Sequence, residues 1–162
     1  MPRSLLPALA LSLTAVTPAP CALEACRCQS AEARGMSPAE LVRVRRDAAE
    51  RVVMGTVVRL DTLPGVAWST GGDTVTRRPL VARIRVRQVW RGPLTDTMTV
   101  MLGALEARTS CDLEMRAGEA FLIFAARADW GLLVTRMCSG TVAERGAAEA
   151  LRALGEGQFV RP

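Results

Sequence analysis

The stretch Ala82-Arg83-Ile84-Arg85-Val86-Arg87-Gln88-Val89-Trp90 decides the fold. Ala82, Ile84 and Val86 alternate with Arg83, Arg85 and Arg87, the two-residue period that lays one face of a strand on a core and the other in water. Arg91-Gly92-Pro93 then turns the chain. Beyond the turn, residues 98–102, 120–125 and 131–135 are apolar runs of strand length, the third, fourth and fifth strands of the pattern. Before it, residues 52–58 form the first strand, with Gly55 as a bulge or bend. The segment 61–79 between the first two strands is polar and glycine-rich and reads as a loop.

Helical signals flank this β pattern. Ser37-Pro38-Ala39-Glu40 is a capping box with proline at the first helical position, and Leu41, Val44 and Ala48 follow at helical spacing. A helix is predicted over 38–50, with Arg43, Arg45, Arg46 and Asp47 on a solvated face. A second helix is predicted over 144–154, stopped by Gly155. No internal repeat is visible. A mainly β chain of five short strands with flanking helices suits a closed five-stranded Greek-key barrel of the OB type.

The 162 residues carry a formal net charge of +5, and every basic residue is arginine. Histidine is absent. That removes Ser-His-Asp and Cys-His catalysis, His-ligated zinc and the usual general base at neutral pH. Asp112, Glu114 and Glu119 are close in sequence, but nothing pairs them as an acid and a base, so the chain reads as a non-enzyme without a cofactor. The stripe Arg83, Arg85 and Arg87 raises binding of nucleic acid, which an OB barrel often does. Base stacking needs exposed aromatics, however, and the chain has no Tyr, three Phe and three Trp, with Phe121 and Phe124 inside an apolar run. No nucleic-acid partner is expected. Trp90 is assigned to packing at the strand end, and Trp68 to no role.

Residues 1–25 have the layout of a signal peptide: Arg3, the apolar run 5–16, then a Pro- and Ala-rich stretch ending Leu23-Glu24-Ala25. The run is too short to span a bilayer, and no second apolar span follows. Cleavage after Ala25 makes 26–162 the mature domain, secreted or periplasmic, and leaves Cys26 as a free N-terminus. A competing reading takes Leu23-Glu24-Ala25-Cys26 as a lipobox, with Cys26 acylated and the protein an envelope-anchored interaction module. Glu24 is unusual there, and acylation would leave an odd number of thiols.

Cleavage leaves Cys26, Cys28, Cys111 and Cys138. In an oxidising compartment four cysteines predict two disulfides with three possible pairings. Cys26 and Cys28 cannot easily close on each other, so each should reach a distant partner and staple the N-terminal segment to the domain, at about 4 kcal/mol per bridge in the chain-entropy description. Binding of a metal by the four thiols is the rival reading.

Several blocks then carry a family resemblance. Cys26-Arg27-Cys28, Ala49 to Val57, Val86 to Gly92, Ser110-Cys111, Gly118 to Ala125 and Cys138-Ser139-Gly140-Thr141 resemble, in that order, the netrin-type module of the tissue inhibitors of metalloproteinases, especially its bacterial members. The resemblance covers nearly the whole mature chain. It implies an OB-fold barrel with bridges Cys26–Cys111 and Cys28–Cys138. It also implies a zinc metalloprotease as partner, whose metal the α-amino nitrogen and carbonyl oxygen of Cys26 would chelate, with Arg27, Cys28 and Gln29 as the contact ridge. The only metal involved would be the protease's own. Arg27 departs from the small side chain usual after the first cysteine, and neither the third cysteine pair of the animal N-domain nor its second domain has a counterpart.

Overall fold

A computed structural model of the protein describes residues 28, 34–70, 73–104, 112–129 and 131–161, with backbone only at 66, 68–70 and 73–75. The leader, Cys26, Arg27, Gln29 and Cys111 lie outside the described residues.

Helix α1 spans Pro38–Ala48. Its capping box is formed: Glu40 N–H donates to Ser37 Oγ at 3.3 Å, and Ser37 N–H donates to Glu40 Oε2 at 2.7 Å. The buried face differs from the one predicted. Leu41, Val42 and the capping residue Ala49 are buried and Arg45 is half-buried, whereas Val44 and Ala48 are exposed. The helix packs on the sheet through positions 42, 45 and 49, a spacing that apolar character alone concealed because an arginine occupies the middle of it.

The strands that follow are β1 (Arg51–Thr62), β2 (Val66–Thr70), β3 (Asp73–Arg77), β4 (Pro79–Arg91), β5 (Thr97–Ala104), β6 (Ala120–Arg127), β7 (Leu133–Val134), β8 (Val142–Ala143) and β9 (Gln158–Phe159). The pairing order β1-β4-β5-β7-β6 is closed by a further pairing of β1 with β6, so five strands form a ring. All pairings in the ring are antiparallel except β5 with β7, where Met101 faces Val134. β8 adds to β6, and β9 adds to β4 where β5 no longer covers it.

The region 61–79 is not simply a loop. β1 continues to Thr62, and β2 and β3 pair as a hairpin separate from the main sheet. The predicted fifth strand shrinks to two residues: Thr135 N–H still donates to Met101 O at 3.0 Å, and the chain then enters the 3-10 turn Met137–Ser139. The second helix is also shorter: Glu144–Gly146 is a 3-10 turn, and α2 spans Ala148–Leu154. It ends with Gly155 N–H donating to Leu151 O at 3.0 Å.

Two apolar layers explain the sequence patterns. Inside the ring lie Val53, Val57, Ala82, Ile84, Val86, Val100, Phe121 and Ile123; between ring and helices lie Val42, Val52, Met54, Leu122, Phe124 and Leu154. β1 and β6 are buried on both faces along these stretches, which is why 52–54 and 121–125 are unbroken apolar runs. β4 is buried on one face, with Arg83, Arg85 and Arg87 exposed. The β1–β4 register slips between Met54 and Gly55, where the partner moves from Gln88 to Val86. Skipping Arg87 reverses the alternation, which sends Val89 into the ring and Trp90 to the outer layer, where its Nε1–H donates to Gly155 O at 2.8 Å.

Candidate functional site

The end of the ring where β1 begins and β6 finishes carries the anchor of the N-terminal segment. Cys28 forms a disulfide with Cys138, across a sequence separation of 110 residues. Cys28 is half-buried and Cys138 exposed, so the bridge sits at the surface. It uses two of the thiols that a four-thiolate metal site would need.

Cys138 is held on a 3-10 turn, Met137–Ser139, that ends at Gly140 with φ +101°. A β-carbon at Gly140 would lie 2.9 Å from Arg45 Cδ, so glycine there both supplies the left-handed turn and lets the arginine stem of α1 pass over it.

Beneath the turn is a cluster of hydroxyls. β8 pairs with β6 at Phe121 and Leu122, and β7 pairs with it at Ala126 and Arg127. In the gap between them the backbone of buried Phe124 needs other partners. Its N–H donates to Thr141 Oγ1 at 2.8 Å, and its carbonyl accepts from Thr135 Oγ1 at 2.9 Å. The two threonine oxygens are 2.6 Å apart, and Ser139 Oγ lies 3.1 Å from Thr135 Oγ1 while donating to Arg136 O at 2.7 Å. Thr135 is 1% and Thr141 6% exposed. These hydroxyls replace two missing ladder bonds and tie the disulfide-bearing turn to the central strand.

Charges surround this end. The Arg127 guanidinium grips Glu50, its Nε–H donating to Oε2 at 2.8 Å, and this hydrogen bond holds the Glu50 carboxyl below its ordinary pKa. Arg51 is buried at the start of β1; one NH2 donates to Thr95 Oγ1 at 2.9 Å, and its Nε finds no partner among the described residues. Burial pushes its pKa down, with Glu50 opposing. Arg45 is pushed down as well, first by burial and then by the like charge of Arg34.

A groove of about 460 Å³ opens beside the bridge. Its floor is Ala48, Ala49, Phe124, Ala126 and Val134, and Arg45, Arg127, Arg136 and Cys138 stand around it. Sequence reasoning missed it. The alanines of α1 and β6 carry no pattern of their own, and only the ring brings them together.

Of the remaining candidates, Glu119 Oε2 accepts the Arg116 N–H at 3.1 Å and so closes a turn. Arg87 pairs with Glu144 at 2.8 Å. Phe121 and Phe124 are buried, while Phe159, which the sequence did not single out, is 73% exposed on β9 opposite Gln88. Among the described residues no helix is long and apolar enough to cross a membrane. No protein-family pattern matches this chain, and no curated protein sequence matches it.

Proposed function

We propose that the chain is an exported inhibitor of a zinc metalloprotease, a netrin-type OB-fold protein related to the tissue inhibitors of metalloproteinases. The observation that carries this reading is the Cys28–Cys138 bridge. It fastens the residue two positions after Cys26 to a turn seated on the Thr135–Ser139–Thr141 hydroxyls, at the end of a five-strand ring.

The chemistry needs little more than a presented N-terminus. An α-amine has a pKa of about 7.7 to 8, so it yields its proton to zinc at modest cost. Amine nitrogen and carbonyl oxygen of the same residue close a five-membered chelate ring on the metal and displace the attacking water. A second bridge, Cys26–Cys111, would fix the chelator itself, so that little conformational freedom is lost on binding. Arg27 would send a long cation toward the protease's specificity pocket, which selects a pocket that is acidic or open to water. Gln29 would continue the contact ridge.

The test compares two oxidised proteins, one beginning at Cys26 and one carrying a single alanine before it. Intact mass must first show four hydrogens fewer than the reduced chain. The protein starting at Cys26 should inhibit at least one member of a zinc metalloprotease panel, and the extended protein should not, because an amide nitrogen is a poor zinc ligand. Equal inhibition by both would sink the chelation mechanism. An acylated Cys26 in protein exported by its host would replace it with the second reading, an envelope-anchored interaction module without inhibitory activity. The open groove beside the bridge favours that reading as a binding surface that needs no free amine.

A further inference from the structure

We infer that the groove beside the Cys28–Cys138 bridge is a binding site for a small anionic amphiphile, a single carboxylate head on a short alkyl chain.

The shape and lining come first. About 460 Å³ lies within the ordinary range of small-molecule sites, and such sites combine an apolar wall with a few placed polar groups. Here Ala48, Ala126 and Val134 line the groove with Phe124 at its base. The side chains are short, so the space they leave is the cavity. At about 30 Å³ per water-sized group, the groove holds on the order of fifteen such groups, the size of a medium-chain fatty acid with room to spare.

The charges specify the head. Arg127 is neutralised by Glu50. Arg45 and Arg136 also line the groove, and neither takes part in an ion pair among the described residues. Arg45 is half-buried, with its own stem passing over Gly140, and Arg34 adds a further positive charge near it. Two arginines that make no ion pair among the described residues, on the wall of an apolar groove, create a demand that water meets poorly and a carboxylate meets well. The larger cavity beside β9, about 710 Å³, also carries Arg85, Arg87 and Arg161, but Asp96 and Glu144 line it with them and Glu144 pairs with Arg87, whereas no carboxylate is among the described residues lining the groove. The inference does not rest on zinc chelation, since no group of the groove belongs to the Cys26 chelate.

The test titrates the mature, oxidised protein with sodium octanoate, sodium butyrate, 1-octanol and octyltrimethylammonium below their aggregation limits. Binding is followed by calorimetry and by amide shifts in two-dimensional NMR. Octanoate should bind one-to-one, with shifts concentrated at Phe124, Ala126 and Val134. Each methylene between butyrate and octanoate should tighten binding about fourfold. Octanol should bind roughly tenfold more weakly, and the cationic amphiphile should not bind. Arg45→Gln and Arg136→Gln should each weaken octanoate about tenfold and leave octanol unchanged. Arg136 is exposed, so its substitution spares the fold even where that of Arg45 does not. Ala126→Trp, which fills the floor, should abolish octanoate binding while the thermal midpoint is retained. Octanol binding as tightly as octanoate, Arg136→Gln without effect, or shifts scattered over the surface would each overturn the site.

Discussion

Replacing Thr141 with valine keeps the shape of the side chain and deletes one buried oxygen, and the consequences can be worked through atom by atom. That oxygen accepts the N–H of Phe124 at 2.8 Å and lies 2.6 Å from Thr135 Oγ1. Phe124 is 1% exposed, so water cannot replace the lost acceptor. Leaving a buried N–H unpaired costs about 1–3 kcal/mol, and the lost hydroxyl contact adds about 1 kcal/mol. Thr141→Val should therefore destabilise the protein by about 2–4 kcal/mol, a large share of the roughly 5–15 kcal/mol that holds a domain folded. Thr135→Val should cost less, about 1 kcal/mol, because the Phe124 carbonyl keeps a donor in Thr141 Oγ1, 3.3 Å away. Thr141→Ser retains the oxygen and should lose only the burial of one methyl, about 0.8 kcal/mol. Urea unfolding of the oxidised protein measures all three, with the denaturant slope unchanged across the series. Thr141→Val within about 0.5 kcal/mol of the parent, or Thr135→Val costing as much as Thr141→Val, would refute the assignment of the hydroxyls as substitutes for ladder bonds.

Gly55→Ala tests the close approach of β1 to β4. The added carbon would sit 2.4 Å from Ile84 Cγ2 and 2.7 Å from the Arg85 carbonyl oxygen, and a backbone carbonyl in a ladder cannot retreat. A loss of about 1–3 kcal/mol in urea unfolding is expected, and an unchanged midpoint would show that the strands separate freely. Acid titration tests Glu50. Its folded pKa is lowered by the hydrogen bond from Arg127, so its contribution is present above the unfolded value of about 4.3 and is lost as pH falls through the lower folded value. Glu50→Gln should flatten the acid limb of the stability profile below about pH 4.5 and leave its shape above pH 6 alone; parallel profiles would exclude the pair as a source of acid sensitivity.

The legible parts of the fold were those written in local periodicity. Arg83, Arg85 and Arg87 alternate with buried Ala82, Ile84 and Val86 because one face of β4 meets water. The capping box starts α1 at Pro38 because its bonds span only three residues. The bulge near Gly55 was legible too, since glycine inside an apolar run marks a close approach. The unbroken runs of β1 and β6 announced strands, but not that both faces would be covered.

Other features depend on partners far away in sequence. The hairpin of β2 and β3 lies in a segment whose polar composition resembles a loop, and its strands are defined by pairing with each other. β8 and β9 are two residues each and are defined only by the strands they pair with. Arg45 belongs to the buried side of α1 because Gly140 makes room for its stem, and Gly140 stands 95 positions later in the chain. For the candidate site, the amino-acid sequence determined which cysteines are available, that histidine chemistry is excluded and that arginines are plentiful. The seat of Cys138 on three hydroxyls and the alanine-floored groove beside it were decided by the tertiary structure alone. Closing five strands into a ring brings α1, the end of β6 and the 135–141 turn together, and hydrogen bonds across such distances leave no period in the sequence.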